Sequence, residues 1–182
     1  MLRKTIKNIA LLDLQNFTAE ALREIKKIES CAMLLIPKNA SDEWKNAYAK
    51  ITIRNVASII EVSYSKYSVL NGMVTLNDKN VSDDCLYIVN GIVILETVEK
   101  IPDLCVNGLL LKRKKSRYEM TRMNGRSVEV EDNVVIKPYP NTIEIDGDTV
   151  RSFDYNTLVA AGNNVDIVDD VTEQMLSDKK IT

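Results

Sequence analysis

The chain has 182 residues, with 24 Lys and Arg, 26 Asp and Glu, and no histidine. The lack of histidine excludes Ser-His-Asp and Cys-His catalytic groups and every metal site that depends on imidazole. The net charge of −2 excludes a protein-wide positive field, so we expect neither a membrane nor nucleic acid as a general partner.

The three cysteines, Cys31, Cys85 and Cys105, each lie in an apolar run and form no Cys-x-x-Cys pair. An odd number at this spacing suits neither a disulfide framework nor a zinc site. We therefore expect buried free thiols and no cofactor. The N-terminal apolar run at 9–12 ends at Asp13, which makes it too short for a secretory signal or a membrane span. Together these features predict a cytoplasmic protein.

In chain order, the first third alternates apolar runs with helical patterns. The apolar runs at 8–12, 30–35 and 55–60 predict three strands. Thr18 and Ser41 are the expected N-caps of two helices that separate these strands.

The first helix is predicted over 19–28, where Leu22, Ile25 and Ile28 recur at helical spacing. The second is predicted over 42–49 and begins with acidic residues, which stabilise a helix N-terminus. Strands joined by such helices must run parallel, because the helix carries the chain back to the same end of the sheet.

The rest of the chain repeats an Asn-Gly pair. The asparagines are Asn71, Asn90, Asn107 and Asn124, so the steps between them are nearly equal and the last two steps are identical. One more step of the same length leads to Asn141, which begins another alternating segment. A fixed period of this kind predicts equivalent strands stacked side by side.

The same phase extends toward the N-terminus, because Asn8, Ser30 and Asn55 each precede one of the early apolar runs. We predict an α/β repeat fold, a solenoid of parallel strands with helices between the N-terminal repeats and short turns between the later ones. Residues 1–150 would form the solenoid domain. Residues 151–182 would form a C-terminal cap packed on it.

The spacing of Leu22, Ile25 and Ile28 before the strand at Cys31 resembles that of leucine-rich-repeat proteins. The resemblance covers residues 8–146 and concerns the repeat pattern alone, since Asn here precedes the strand apolar residues instead of following them. It implies a solenoid whose extended surface binds other proteins.

An antiparallel β-meander is the alternative fold. Asn-Gly between two apolar runs is also the strongest short-range hairpin signal. Residues 86–89 and 92–95 would then pair across Asn90-Gly91. The repeat at Asn55 keeps the phase without a glycine, which favours the parallel ladder.

Strand side chains alternate between two faces, so positions can be counted from the Asn or Ser of each repeat. Positions +2 and +4 are apolar in most repeats and are predicted to face the core. Positions +3 and +5 are apolar only in the middle repeats, and we expect a second apolar face there, covered by another copy in a homodimer or by residues 151–182. The candidate interaction face comprises Met33, Leu35, Ile60, Val74, Leu76, Val93, Leu95 and Leu110.

A second candidate site is a basic strip with seven positive charges within residues 112–126. This density suits contacts to the phosphates of a polyanion. A solvated edge that discourages strand pairing explains the same charges. The strip candidates are Lys112, Arg113, Lys114, Lys115 and Arg117.

The function expected from these features is that of a non-catalytic protein-interaction or scaffold module, not an enzyme. One alternative is a carboxylate-dependent enzyme acting on carbohydrates, by analogy with other parallel solenoids. Its acids would be Asp13, Glu129, Glu144 and Asp146, which the repeat places at the two ends of the solenoid. The other alternative is polyanion binding through residues 112–126.

Overall fold

The computed structural model describes residues 4–63 and 66–182. The chain forms two units, Met1–Ser65 and Lys66–Thr182, each built mainly from β-strands with a few short helices. All strand pairs in the described parts of the chain are parallel, which excludes the antiparallel meander. Within those same parts, no helix is long and apolar enough to cross a membrane.

The first unit is a three-stranded parallel sheet with two short helices. Its elements are β1 (Lys4–Asp13), α1 (Ala19–Arg23), β2 (Ile25–Pro37), α2 (Asp42–Tyr48) and β3 (Thr52–Val62). The strands pair in the order β1, β2, β3, and Ile9 lies beside Cys31, which lies beside Val56. Each of these three residues directly follows the polar residue of its repeat, so the register is the one that the sequence repeat predicts.

Both helices begin at the predicted caps. Thr18 Oγ1 accepts a hydrogen bond from the backbone N–H of Ala21, and Ser41 Oγ accepts one from that of Trp44, each at 3.2 Å. Such caps satisfy backbone donors that the first turn of a helix leaves without partners.

The first helix is shorter than predicted. It ends at Arg23, and Ile25 and Ile28 lie in β2. Both isoleucines are buried in the same cluster as Leu22, and their β-branched side chains favour a strand. The spacing behind the resemblance to leucine-rich repeats is therefore not helical, and that resemblance is not confirmed.

The core of the first unit lies between the sheet and the two helices. The Trp44 ring stacks on Tyr48 with centroids 5.0 Å apart, and its Nε1 donates a hydrogen bond to Phe17 O at 3.0 Å. Leu22 and Leu34 are fully buried in the same cluster. Thus α2 is fixed by both apolar packing and a satisfied indole N–H.

The second unit contains a four-stranded parallel sheet in the order β4 (Lys66–Asn77), β5 (Cys85–Glu96), β6 (Asp103–Arg113) and β7 (Glu119–Val130). The Asn-Gly pairs of successive strands lie side by side, as predicted. Met73, Ile92 and Leu109 are neighbours on adjacent strands, also as predicted. Asn90-Gly91 lies in the middle of one strand and forms no hairpin turn.

Each strand of this sheet is kinked at its Asn-Gly pair. Gly91, Gly108 and Gly125 have φ values of 136°, 137° and 144°, far from the roughly −120° of a regular parallel strand. Chain length requires the kink. A straight β5 would span about 36 Å, whereas the connection at 97–102 reaches at most about 25 Å. Because β6 starts beside the start of β5, β5 has to bend.

The Asn-Gly pairs stack on one another from strand to strand. Asn90 Nδ2 donates to Asn71 Oδ1 at 2.9 Å, and Asn107 Nδ2 donates to Asn90 Oδ1 at 2.8 Å. A Cβ added to Gly108 would lie 2.1 Å from the carbonyl oxygen of Gly91. Asparagine therefore supplies a side-chain ladder, and glycine allows the close backbone approach beside it.

The remaining elements are β8 (Val135–Tyr139), β9 (Ile143–Ile145), α3 (Gly147–Ser152), β10 (Thr157–Ala161), β11 (Val165–Ile167) and α4 (Glu173–Lys179). Strand β8 pairs with β10, and β9 pairs with β11. The segment at 155–161 contains β10, although its short apolar run suits a helix as well as a strand. The repeat at Asn141 departs from the prediction, because β9 does not join the ladder at β7.

The two faces of the β4–β7 sheet pack against different parts of the unit. We call the face that carries Val93 and Leu110 the inner face; it packs with Val81 and Tyr118 from the connections between strands. The outer face carries Ile92, Ile94 and Leu111, which are buried with Ile136 of β8 and Ala160 of β10. The centre of the sheet is thus covered on both sides.

The prediction that positions +2 and +4 face the core holds for Leu34 in the first unit and, in the four-stranded sheet, where β8 and β10 cover the outer face. Ile92 and Ile94 are buried there. Elsewhere the same positions are exposed, as Met73 (39%), Ile59 (46%) and Val128 (39%) show. The position in the repeat therefore does not decide burial by itself.

Replacing Ile94 with aspartate is expected to destabilise the second unit by about 3 kcal/mol or more, because a buried charge without a partner is among the most damaging changes. Ile94 is 6% exposed and packs against the β8–β10 layer. Thermal unfolding followed by circular dichroism measures the loss. Ile59→Asp, at the equivalent and exposed position, is the control. Similar melting temperatures for the two variants would contradict this placement of the β8–β10 layer.

Candidate functional site

The candidate interaction face predicted from the sequence lies in the interior. Val93, Leu95 and Leu110 are completely buried, and Leu76 is 3% exposed. Val74 packs partly buried against the same cluster. The remaining members, in the first unit, are also buried: Met33, Leu35 and Ile60. These positions are therefore covered within the chain, and in the second unit Val81 and Tyr118 belong to the cover.

The kink in each strand explains why positions +3 and +5 are buried in the second unit. Since each strand bends and a short connection returns to the next strand, the concave side of the bend is the side that the connection closes. In the second unit that side is the inner face, where Val81 and Tyr118 from two connections contact the strands. It is not residues 151–182 that cover this face; β10 lies instead against the outer face.

The inner face is incompletely covered at its β4 end. A cleft of about 340 Å³ opens there and is lined by both halves of β4 and by Tyr87 of β5. Leu70 and Val74 are partly buried on its wall, whereas Leu76 and Tyr87 are buried at 3% and 7% exposure. The apolar side chains of the inner face thus extend to the β4 end of the sheet, where they line the cleft. The residues lining it are Ser68, Leu70, Val74, Thr75, Leu76, Asn80 and Tyr87.

Hydrogen bonds fix the rim of the cleft. Asn80 Nδ2 donates to Thr75 O at 2.7 Å, and Asn80 Oδ1 accepts from the backbone N–H of Asn77 at 2.8 Å. The hydroxyl of Tyr87 accepts from the backbone N–H of Ser82 at 2.8 Å. The connection after β4 is therefore tied to the strand, and the cleft is held open by satisfied polar groups.

The edge of β4 lacks the neighbour that the inner strands have. In the described residues, β4 pairs with β5 alone. A Cβ at Gly91 would lie 2.0 Å from the carbonyl oxygen of Gly72, whereas a Cβ at Gly72 would meet no atom within 4 Å. Asn71 accepts the ladder hydrogen bond from Asn90, and among the described residues its own Nδ2 has no acceptor. Within the four-stranded sheet, β4 is therefore an edge strand.

The opposite end of the sheet is polar. On the inner face of β7, Ser127 and Glu129 occupy the positions that Val74 and Leu76 occupy on β4, and both are exposed. Lys112 pairs with Glu129 at 3.1 Å and lies 5.6 Å from the Tyr118 ring centroid. The hydrogen bond to Glu129 raises the pKa of Lys112. Charged groups on an edge strand discourage pairing with a further strand, so the edge at β7 is protected against strand addition.

The basic strip is largely paired with acids one repeat away. Besides Lys112, Lys114 pairs with Glu131 at 3.3 Å and Lys115 with Asp132 at 3.4 Å. Each of these pairs spans 17 residues, the period of the ladder, so the acid lies on the next turn of the chain.

The two arginines of the strip contact backbone or acid groups. Arg113 Nε lies 3.5 Å from Glu96, and its Nη1 donates to the carbonyl oxygens of Glu131 and Val134. Arg117 Nη1 donates to Glu99 O at 3.3 Å. The positive charges therefore link successive repeats, and these contacts compete with any phosphate.

The acids considered for carbohydrate chemistry have local structural partners. Asp146 accepts from the backbone N–H of Thr149 at 2.7 Å and caps α3, and hydrogen bonds from Thr149 lower its pKa. Asp13 accepts from the backbone N–H of Gln15 at 2.8 Å. Glu129 pairs with Lys112. Each of these three carboxylates thus has a role in its local structure.

All three thiols are free and buried, as predicted. Burial raises the pKa of Cys85 and of Cys105, so little thiolate forms near neutral pH. We expect native protein at pH 8 to react slowly with a disulfide reagent and to release three thiol equivalents at once in denaturant. Cys105→Ser should lower the denatured count by one. Rapid reaction of the native protein would contradict this burial.

No family model, curated protein or solved structure matches this chain.

Proposed function

We propose that the chain is a non-catalytic protein-interaction module, built as a parallel-stranded solenoid and acting in the cytoplasm, that binds its partner at the β4 end of the second unit. The observation that carries the proposal is the contrast between the two ends of the four-stranded sheet. The β4 end offers an apolar cleft, whereas the β7 end carries Ser127, Glu129 and the Lys112 ion pair.

The exposed outer side of β4 supports the same conclusion. Tyr67, Val69 and Met73 are 37%, 43% and 39% exposed, next to a cleft whose walls include Leu70 and Val74. Apolar side chains gathered on one edge, with polar groups at the other, mark an interaction surface. The solenoid supplies the rigid frame that holds this edge in place.

A pair of variants tests the proposal. Val69→Lys with Met73→Lys places two charges on exposed positions of β4, so the fold should persist, while partner binding should be lost. Val128→Lys makes the same change at the β7 end, where the side chain is 39% exposed. Each tagged protein is used to capture partners from the source cells, and thermal melts verify folding.

A protein retained by the wild type and by Val128→Lys, and lost by the β4 variant, supports the proposal. Equal capture by all three proteins would place the binding surface elsewhere and would contradict it. Light scattering of the same samples tells whether the partner is a second copy, because the wild type would then show a larger mass than the β4 variant.

A further inference from the structure

We propose that Asn124-Gly125, in the outer strand β7, is a site of spontaneous deamidation in the folded protein, whereas the Asn-Gly pairs of the inner strands β5 and β6 are protected by the asparagine ladder. The reaction needs only water and hydroxide, so it is independent of the proposed function.

The chemistry begins at the backbone nitrogen of the glycine, which no side chain shields. Hydroxide removes the proton from the Gly125 backbone amide, and the nitrogen attacks Cγ of Asn124. The N–Cγ bond forms and the Cγ–Nδ2 bond breaks, so Nδ2 takes a proton from water and leaves as ammonia. Water then opens the resulting succinimide ring at either carbonyl carbon, which leaves aspartate or isoaspartate.

The three pairs have the same local sequence chemistry. An apolar residue precedes the asparagine in each pair, namely Val89, Val106 or Met123, and glycine follows it. The unfolded chain should therefore deamidate at similar rates at all three positions. A difference between them in the native protein comes from the fold.

The ladder restrains the side-chain amides of the inner strands. Asn90 is held through both atoms, since its Nδ2 donates to Asn71 Oδ1 at 2.9 Å and its Oδ1 accepts from Asn107 Nδ2 at 2.8 Å. Asn107 is held through Nδ2. Among the described residues, the side chain of Asn124 forms no hydrogen bond. Its Cγ can therefore approach the nitrogen of Gly125 without loss of a ladder bond.

The backbone of β7 is also less restrained. The inner strands pair on both sides, whereas β7 pairs with β6 alone in the part of the chain that the structure describes. Asn124 and Gly125 are exposed, while Gly91 and Gly108 are half-buried. Ring closure requires the peptide unit between Asn and Gly to rotate, which disturbs the pairing with two neighbours on an inner strand and with one on β7. Local opening at β7 therefore needs less free energy.

Isoaspartate at position 124 is expected to loosen the second half of β7. The chain then runs through the former side-chain carbon, which adds one methylene group to the backbone. Gly125 already lies so close to Gly108 that a Cβ on it would be 1.9 Å from the Gly108 carbonyl oxygen. The lengthened strand cannot keep this register. Val130, which is 3% exposed in the cluster that includes residues of β8 and β10, would be displaced.

Peptide mass spectrometry measures each rate separately. Trypsin releases the three Asn-Gly pairs in different peptides, because Lys or Arg lies between them; the peptides are 80–100, 101–112 and 123–126. Replacement of NH2 by OH appears as a mass increase that fragmentation assigns to one residue, and chromatography separates isoaspartate from aspartate. In native protein incubated near pH 8, Asn124 should convert at least about tenfold faster than Asn90 or Asn107. In urea the three rates should become similar.

Asn124→Gln is the decisive variant, because its longer side chain would have to close a six-membered ring, which is much slower. During the same incubation the melting temperature of the wild type should fall as isoaspartate accumulates, while that of the variant stays constant. Ser127→Ala, an exposed change on the same strand that leaves the Asn-Gly pair intact, is the matched control and should lose stability as the wild type does.

Equal native rates at Asn124 and at either inner asparagine would overturn the proposal. It would also be overturned if Asn124 stayed intact in the native protein while the unfolded chain deamidated there. If the melting temperature of the wild type stayed constant while isoaspartate accumulated at position 124, the expected loosening of β7 would be wrong.

Discussion

Replacing Gly108 with alanine is expected to produce one of the largest losses of stability in this protein, about 3 kcal/mol or more. The new Cβ would lie 2.1 Å from the carbonyl oxygen of Gly91, on a backbone with φ of 137° that L side chains rarely adopt. Because Gly108 lies on β6, between β5 and β7, neither neighbour can move away without breaking ladder hydrogen bonds. Thermal or denaturant unfolding measures the effect.

Gly72→Ala is the matched control for the loss of stability expected of Gly108→Ala. It has the same residue type at the equivalent kink, with φ of 82° and open space around the added methyl group. Only the left-handed backbone penalty remains, about 1–2 kcal/mol. If Gly72→Ala and Gly108→Ala were equally destabilised, the close glycine stacking between strands would be refuted.

Replacing Val93 with glutamate is expected to unfold the second unit or destabilise it by about 4 kcal/mol. Val93 is completely buried among Val89, Leu95 and Leu110, in a cluster of apolar side chains. Burying a charge without a partner costs more than most domains can lose, since their total stability is only about 5–15 kcal/mol. Circular dichroism and the solubility of the expressed protein report the result.

The control for this change is Val128→Glu. Val128 is 39% exposed on β7, and surface substitutions of this kind usually alter stability by less than about 0.5 kcal/mol. If Val93→Glu stayed folded but changed its molar mass, position +3 would be a surface between copies, as the sequence pattern alone allows. Loss of folding places it in the core.

The salt bridges of the basic strip follow a pattern that the sequence reveals only when charges are compared across the repeat period. Lys112, Lys114 and Lys115 form a cluster only when read along the chain. Read at the repeat period, each has an acid one repeat later, and the structure pairs all three. Once a period has been found, charges are better compared across it than along it, because neighbours in space lie one repeat apart.

In the C-terminal segment, by contrast, the local sequence does not decide between a helix and a strand. Residues 157–161 have small and branched apolar side chains that suit a helix or a strand of this length equally. Pairing with β8, which precedes α3 and β9 in the chain, decides for a strand. No local pattern carries that information, since the partner strand is distant in the sequence.

The sequence by itself determined the period and the phase of strands β1 to β7, because Asn-Gly pairs and their polar equivalents recur along the chain at nearly fixed intervals. Only the tertiary structure decided which face is the core. Successive residues of the middle strands are apolar, so both faces of these strands are apolar and the sequence pattern does not distinguish them. Burial depends instead on where the connections return and on β8 and β10, which cover the outer face. A connection as short as the one at 97–102 cannot span the length of a straight strand as long as β5. The strand therefore bends, and the connection covers the concave side of the bend, which is the inner face.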